Sequence, residues 1–190
     1  MDNHYEAVIF LAAGKQTRFL APWLKCMSII GGKPILQHAI EAWAGYAPYV
    51  VVSDRWSLAD VAAAEAMGAN IVHTLGRTIG ESTADGLMAC RRERYMSAHI
   101  VSADTFFAAP VADIITNDEH INSVYFDPWR WITVWYLRES HCEMAPYQYG
   151  SMTDRLKYAA SAKMSTRLIN SSQWLNVNTL EDLDVARGMV

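Results

Sequence analysis

The chain has little of what marks disulfide-rich or nucleic-acid-binding proteins. Only three of its 190 residues are cysteines, and Cys26, Cys90 and Cys142 form no Cys-x-x-Cys pair. We therefore expect no disulfide framework and no zinc site, and predict reduced thiols, as in the cytoplasm. Lys and Arg number 16 against 20 Asp and Glu, and the lack of a basic excess argues against a general nucleic-acid binder.

Long apolar runs and several catalytic motifs are also missing. The first apolar run follows an acidic start and ends by Ala13, whereas a membrane-spanning helix needs about 20 residues. We expect a soluble cytoplasmic protein with no membrane segment. The sequence has neither a GxxxxGK[ST] loop nor a G-x-S-x-G elbow, which excludes an ordinary P-loop kinase and a serine-hydrolase triad. Its histidines show no metal-ligand spacing.

What is present is an alternation of short apolar strands with helical segments. Strands are predicted over 7–12, 49–53, 70–73, 99–102, 123–126 and 132–137, with a weak one near 167–169. Helices are predicted over 35–43, 61–67, 81–95, 111–117, 153–162 and 180–187. Ser57 with Asp60 resembles a capping box before 61–67, and Thr179 with Asp182 resembles an N-cap pair before 180–187. With 52% hydrophobic residues, the pattern predicts one α/β domain over 1–190, a three-layer α/β/α sandwich with a mostly parallel central sheet.

The aromatic stretch 127–149 fits this alternation less well and is expected to form an antiparallel excursion. Trp129, Trp131 and Trp135 have the spacing of one strand face. They either pack in the core or line a ligand pocket. The same two alternatives apply to Tyr125, Tyr147 and Tyr149.

The first predicted strand ends in Leu11-Ala12-Ala13-Gly14-Lys15-Gln16-Thr17-Arg18. Small residues at the carboxyl edge of a sheet let a ligand approach the main chain, whose N–H groups bind oxyanions. Arg18 and Lys25 offer cations for a triphosphate. Taken alone, the segment is equally a tight turn with solvated basic residues.

The residues that follow carry a resemblance. Leu11–Gly14, Arg18, Lys25 and the Gly32-Lys33-Pro34-Ile35-Leu36 segment fall in register with LAAGxGxR, PKxL and GKPLL. The chain thus resembles the nucleotidyltransferase superfamily of GT-A-like, Rossmann-like fold, which includes MobA-like NTP transferases and sugar-phosphate nucleotidyltransferases. Gln16 stands in place of a glycine, Leu24 in place of a proline, and Phe106 where a proline is common.

The resemblance assigns roles to residues along the whole chain. Leu11, Ala12, Ala13, Gly14 and Lys15 would bind the nucleotide, and Arg18, Lys25 and Asp104 would be catalytic. Asp104, which follows the apolar strand of His99-Ile100-Val101-Ser102, would also bind Mg²⁺, and Asn178 would be a second metal ligand. The alternatives are that Asp104 caps the next turn and that Asn178 serves only the helix start at Thr179.

Ser82 opens the helix that lies beside the base in relatives, so it is the candidate base contact. Its alternative role is an N-cap. His38, on an amphipathic helix, is predicted to be structural rather than catalytic.

The implied activity is Mg²⁺-dependent transfer of NMP from an NTP to a phosphorylated small molecule, with release of pyrophosphate. Sugar phosphates, alcohol phosphates such as phosphocholine, and molybdopterin are the acceptor classes. The nucleotide is expected in the half 1–120 and the acceptor in 121–190. The alternatives are a nucleotide sensor without catalysis and a glycosyltransferase that uses a nucleotide sugar, although Asp104-Thr105-Phe106 supplies no Asp-x-Asp motif.

Overall fold

The structure is a computed structural model that describes residues 6–14, 19, 21–76, 78–95, 97–111, 123–127, 132–138, 165–168 and 173–190. The strands among these residues are β1 Glu6–Leu11, β2 Ile29–Ile30, β3 Lys33–Pro34, β4 Ala47–Val52, β5 Asn70–His73, β6 Ser97–Ser102, β7 Thr105–Phe107, β8 Ser123–Asp127, β9 Ile132–Arg138, β10 Ser165–Leu168 and β11 Trp174–Asn176. The helices are α1 Ile35–Ala42, α2 Leu58–Ala66, α3 Ile79–Arg92 and α4 Leu180–Arg187, and a 3-10 turn spans Lys25–Met27.

A seven-stranded sheet organises the described residues, in the order β10-β8-β9-β6-β1-β4-β5. Strands β6, β1, β4 and β5 form a parallel block. Strand β9 pairs antiparallel with both β6 and β8. The predicted mostly parallel sheet is confirmed. The predicted antiparallel excursion over 127–149 is confirmed for β9, and residues 128–131 and 139–149 lie outside the described residues.

The helices cover both faces of this sheet, because successive strand residues point to opposite sides. Val8 and Phe10 of β1 are buried in one cluster with residues of α1 and α2. Ala7 and Ile9 are buried in a second cluster with residues of α3. The three-layer α/β/α arrangement is therefore confirmed.

Two small antiparallel sheets, β2 with β3 and β7 with β11, were not predicted. Gly31 and Gly32 join the first pair with φ of 55° and 84°, the left-handed values that a two-residue hairpin turn requires. The second pair brings a strand near the C-terminus against the residues that follow β6. Such pairing between distant segments leaves little periodicity in the sequence.

Helix boundaries differ from the prediction by up to three residues, at the starts and at the ends. Helix α2 begins at Leu58 rather than at residue 61, and α3 spans Ile79–Arg92 rather than 81–95. The predicted capping boxes of Ser57 with Asp60 and of Thr179 with Asp182 are both present. The predicted helices over 111–117 and 153–162 fall, apart from Val111, outside the described residues. Within the described part of the chain, every helix is too short or too polar to cross a bilayer.

Candidate active site

The carboxyl ends of three parallel strands meet at one edge of the sheet. Strand β1 lies between β4 and β6, with Leu11 opposite Val51 on one side and Ser102 on the other. The segment 12–14 after β1 therefore lies between the turns that follow β4 and β6. This edge is where ligands bind in open α/β sheets.

The backbone of this segment is held by its neighbours. The Leu11 carbonyl accepts from the Ala103 N–H at 3.1 Å, and the Ala12 N–H donates to the Val51 carbonyl at 2.9 Å. Gly14 is exposed, and a Cβ built there would meet no described heavy atom within 4 Å. A phosphate can thus approach this main chain closely.

Lys25 reaches the same edge from the 3-10 turn. Its neighbours Leu24 and Cys26 are buried in the core, and Lys25 itself is only 8% exposed. Its Nζ forms an ion pair with Oδ2 of Asp104. The match of a buried cation with a carboxylate is what makes its burial tolerable.

Asp104 follows β6, and its carboxylate is engaged on both oxygens. Lys25 takes Oδ2, and the Ser102 hydroxyl donates to Oδ1. The same carboxylate acts on Cys26, since burial first and the charge of Asp104 second raise the pKa of that thiol. Cys26 is therefore a neutral core residue and not a nucleophile.

The C-terminal strand brings Val177 opposite Asp104, and Asn178 follows one residue later. Strand β11 pairs with β7 so that Asn176 lies opposite Thr105, and the Val177 N–H donates to the Asp104 carbonyl at 2.9 Å. The Asn178 N–H donates to Asp182 Oδ2 at 2.8 Å, while Thr179 is the N-cap of α4. Asn178 thus supports the helix start, and it directly follows the residue whose N–H contacts Asp104. Its role as a metal ligand stays a prediction.

Ser82 lies within the first turns of α3 and does not cap the helix. The N-cap is Thr78, whose hydroxyl accepts from the Glu81 N–H. The alternative role considered for Ser82 was therefore wrong, because the helix begins three residues before it. Ser82 is 5% exposed, and its hydroxyl donates to the Thr78 carbonyl at 3.2 Å. Its contact with a base stays a prediction.

Two predicted site residues, Lys15 and Arg18, lie outside the described residues, as does Gln16. The same holds for four of the aromatic candidates of the acceptor half: Trp129, Trp131, Tyr147 and Tyr149. Their roles stay predictions.

Phe106, one of the departures from the family pattern, is completely buried. It packs with Ile35, Val177 and Leu183. Its ring meets His38 edge-on at 5.0 Å between centroids. His38 Nε2 lies 2.8 Å from the Ile30 carbonyl and must donate to it, because a carbonyl only accepts. These contacts agree with the structural role predicted for His38.

Two residues of the site were missed from the sequence. The Arg55 guanidinium donates to the Gly14 carbonyl and the Trp56 indole N–H to the Ala12 carbonyl, both at 3.3 Å. Their position directly after an apolar strand was the available signal, since the turn after β4 ends at the same edge as the turn after β1.

Comparisons with known proteins agree with this geometry. The inositol-1-phosphate CTP transferase from T. maritima superposes with a TM-score of 0.71 at 12% identity, over 97% of this chain and 94% of that one. The CTP:phosphocholine cytidylyltransferase from Streptococcus pneumoniae gives a TM-score of 0.69 at 12% identity, over 97% and 98%. The chain has the nucleotidyltransferase fold.

A short local sequence match points to the same fold. The bifunctional protein GlmU of Buchnera aphidicola subsp. Baizongia pistaciae is 49% identical over 41 residues, which are 22% of this chain and 9% of GlmU. No protein-family model matches the chain. The nucleotidyltransferase fold therefore rests mainly on structural likeness over nearly the full length.

Proposed function

We propose that this chain is a nucleotidyltransferase that joins the NMP of an NTP to a phosphorylated small molecule and releases pyrophosphate. The observation that carries the proposal is the Lys25–Asp104 pair at the sheet edge, beside the Ala12–Gly14 backbone. It places a cation, a carboxylate and a main-chain segment free of large side chains at one position. The two structural relatives, named for CTP transfer to inositol-1-phosphate and to phosphocholine, support an acceptor that carries a phosphate monoester.

The reaction follows from this arrangement. An oxygen of the acceptor phosphate attacks the α-phosphorus, a new P–O bond forms, and the bond to the β-phosphate breaks with its electron pair leaving on pyrophosphate. The acceptor phosphate is already ionised at neutral pH, so no general base is needed. Positioning and charge neutralisation dominate such transfers. The Ala12–Gly14 backbone and Lys15 would hold the nucleotide, and Lys25 and Arg18 would offset the charge on the phosphates.

The residues at this edge also fit a Mg²⁺ ion by donor type. Asp104 offers a carboxylate, and Asn178 is an amide on the neighbouring segment. Mg²⁺ is commonly held by one or two carboxylates together with substrate phosphates. The described residues contain no group of three or more His, Cys, Asp or Glu that could hold a metal ion, so phosphate oxygens would complete the coordination. Bound there, the ion would neutralise phosphate charge.

The remaining assignments complete the proposal. Ser82 would contact the base from α3, the half 1–120 would bind the nucleotide and 121–190 the acceptor, with no nucleic acid or membrane involved. We place the protein in the cytoplasm. The described cysteines, Cys26 and Cys90, are both buried, which supports reduced thiols.

A pyrophosphate-release screen tests the proposal. The wild-type chain with Mg²⁺ is given each of four NTPs with sugar phosphates, alcohol phosphates and pterin phosphates, beginning with CTP. Lys25→Ala and Asp104→Ala are each expected to lower turnover by about 10²–10³, the usual effect of removing one electrostatic donor. Circular dichroism checks that both variants are folded.

Lys33 and Glu41 provide the matched control. They form an exposed ion pair at 2.8 Å, with side chains 46% and 47% exposed, so Lys33→Ala and Glu41→Ala should leave turnover near the wild-type value. Equal rates in Lys25→Ala and Lys33→Ala would refute the assignment of Lys25. NTP binding without pyrophosphate release under every acceptor would indicate a sensor instead.

A further inference from the structure

Two side chains of the turn after β4 donate hydrogen bonds to backbone carbonyl groups of the segment 12–14. Trp56 is buried, with 7% exposure, and its Nε1–H donates to the Ala12 carbonyl at 3.3 Å. Arg55, on the exposed side of the same turn, donates from Nη1 to the Gly14 carbonyl at 3.3 Å. Both carbonyls are therefore turned toward the β4 side of the segment.

The hydrogen bond to the Ala12 carbonyl also determines the direction of the next N–H, that of Ala13. In a planar trans peptide the carbonyl of one residue and the N–H of the next point in opposite directions. The preceding peptide follows this rule, because the Leu11 carbonyl faces Ala103 on the β6 side and the Ala12 N–H faces Val51 on the β4 side. With the Ala12 carbonyl held toward Trp56, the Ala13 N–H must point to the β6 side.

The β6 side is where the Lys25–Asp104 pair lies. We propose that Trp56 and Arg55 are positioning residues, which hold the Ala12–Gly14 backbone so that the Ala13 N–H faces the Lys25–Asp104 side and binds a phosphate oxygen of the nucleotide. This inference rests on the proposed function. Trp56 and Arg55 would orient the segment from its β4 side, while Lys25 lies on its β6 side.

The contacts distinguish this role from ordinary packing. Trp56→Phe keeps an aromatic ring in the same buried place and removes only the N–H donor and part of the ring. Arg55→Met keeps an unbranched stem of similar length and removes the donors and the charge. We expect the segment to hold the nucleotide equally before and during the reaction, so that loss of its orientation raises KM for the NTP and leaves kcat unchanged.

The test is the initial rate of pyrophosphate release with Mg²⁺, CTP as the first NTP and saturating acceptor. A single hydrogen bond of this kind corresponds to about a 2- to 10-fold change in affinity. Trp56→Phe and Arg55→Met are each expected to raise KM by that factor, with kcat within about twofold of wild type. Calorimetric titration with the same NTP should show the same loss of affinity.

Two substitutions serve as matched controls. Trp43 is also buried, and its Nε1 has no hydrogen-bond partner in the described part of the chain. Trp43→Phe should lower the melting temperature and leave KM unchanged. Arg187 pairs with Asp184 on the exposed face of α4, and Arg187→Met should change neither quantity.

The outcomes separate the two proposals. If the wild type releases pyrophosphate and Trp56→Phe raises KM no more than Trp43→Phe, or lowers kcat instead, the positioning role is wrong and the proposed function stands. If the wild type neither binds an NTP nor releases pyrophosphate, the proposed function fails and the positioning role fails with it.

Discussion

At the scale of single residues, the ion pair of Lys25 with Asp104 explains why a charged side chain is buried beside the core. The two side chains are 10% and 15% exposed, so neither charge could be kept there without the other. In the absence of a ligand, the charges of Lys25 and Asp104 neutralise each other. A bound triphosphate would compete with Asp104 for Lys25, and binding of a cation by Asp104 would release Lys25 to the phosphates.

His99 carries a second consequence of burial at the residue scale. It lies on β6 with no exposed surface, against Trp43 at 4.7 Å and Tyr46 at 5.1 Å between ring centroids. Burial lowers its pKa from 6.5 to about 3. The unfolded chain therefore takes up a proton near pH 6.5 while the folded chain does not. The part of the unfolding free energy that depends on neutral His99 is fully present above pH 6.5 and is lost as the pH falls toward 3.

We expect this histidine to make the fold acid-sensitive. Between pH 7 and pH 5 the wild type should lose about 2 kcal/mol of unfolding free energy that His99→Leu does not lose, since one pKa unit corresponds to about 1.4 kcal/mol. Urea unfolding at the two pH values measures the difference. The exposed His73 on β5 is the control, and His73→Leu should keep the wild-type pH dependence. Equal acid sensitivity in His99→Leu and the wild type would contradict the assignment.

At the scale of elements, α3 is set against the sheet by one glycine. A Cβ on Gly86 would lie 2.7 Å from Cγ2 of Ile9 and 3.0 Å from Cγ2 of Val51. Glycine within a helix costs about 1 kcal/mol relative to alanine, so this close approach to β1 and β4 accounts for its presence. The approach also fixes how near the first turn of α3, with Ser82, lies to the sheet edge.

Gly86→Ala is expected to destabilise the fold by about 1–3 kcal/mol, the usual cost of overpacking a core. Urea unfolding measures it, and Gly188→Ala, where the nearest contact is 3.4 Å, should have little effect. A second substitution, at Ile9, tests whether this contact causes the loss of stability. Ile9→Ala removes Cγ2 and should relieve most of the cost of Gly86→Ala, whereas Ile9→Val keeps Cγ2 and should not. Equal costs in both backgrounds would mean that this contact does not limit the packing.

The elements also show how far the sequence determines the structure. The parallel strands were predicted because apolar runs such as 49–53 are long enough to be recognised in the sequence. The capping pair of Ser57 and Asp60 correctly indicated the N-cap of α2. The pairing of β11 with β7 was not predicted, because it joins residues about 70 positions apart and each strand has only three residues. The same contrast between sequence patterns and long-range contacts applies to the residues of the site. The resemblance indicated Lys25 and Asp104, and the structure paired them, whereas Arg55 and Trp56 act through backbone carbonyls that no motif records.

At the scale of the whole molecule, the site is assembled from segments spread along the chain. The turn after β1, the 3-10 turn of Lys25, the turns after β4 and β6 and the segment after β11 all meet at one edge. A ligand bound there would contact several of these segments at once. Its binding free energy therefore adds to the stability of the complete fold rather than to one element.

This coupling gives a prediction that does not require the acceptor to be known. At an NTP concentration of about 100 times Kd, with Mg²⁺, the folded chain should gain about 2.7 kcal/mol, because only the folded state has the site. For a domain of this size that corresponds to a rise of about 5–10 °C in the melting temperature. Melting curves with Mg²⁺ alone, with each NTP alone and with both together measure the rise, and the largest should come from both together. Lys25→Ala should abolish most of it and Lys33→Ala should not. An equal rise in these two variants would mean that the nucleotide binds away from the Lys25–Asp104 edge, and the proposed site would then be wrong even in a chain that releases pyrophosphate.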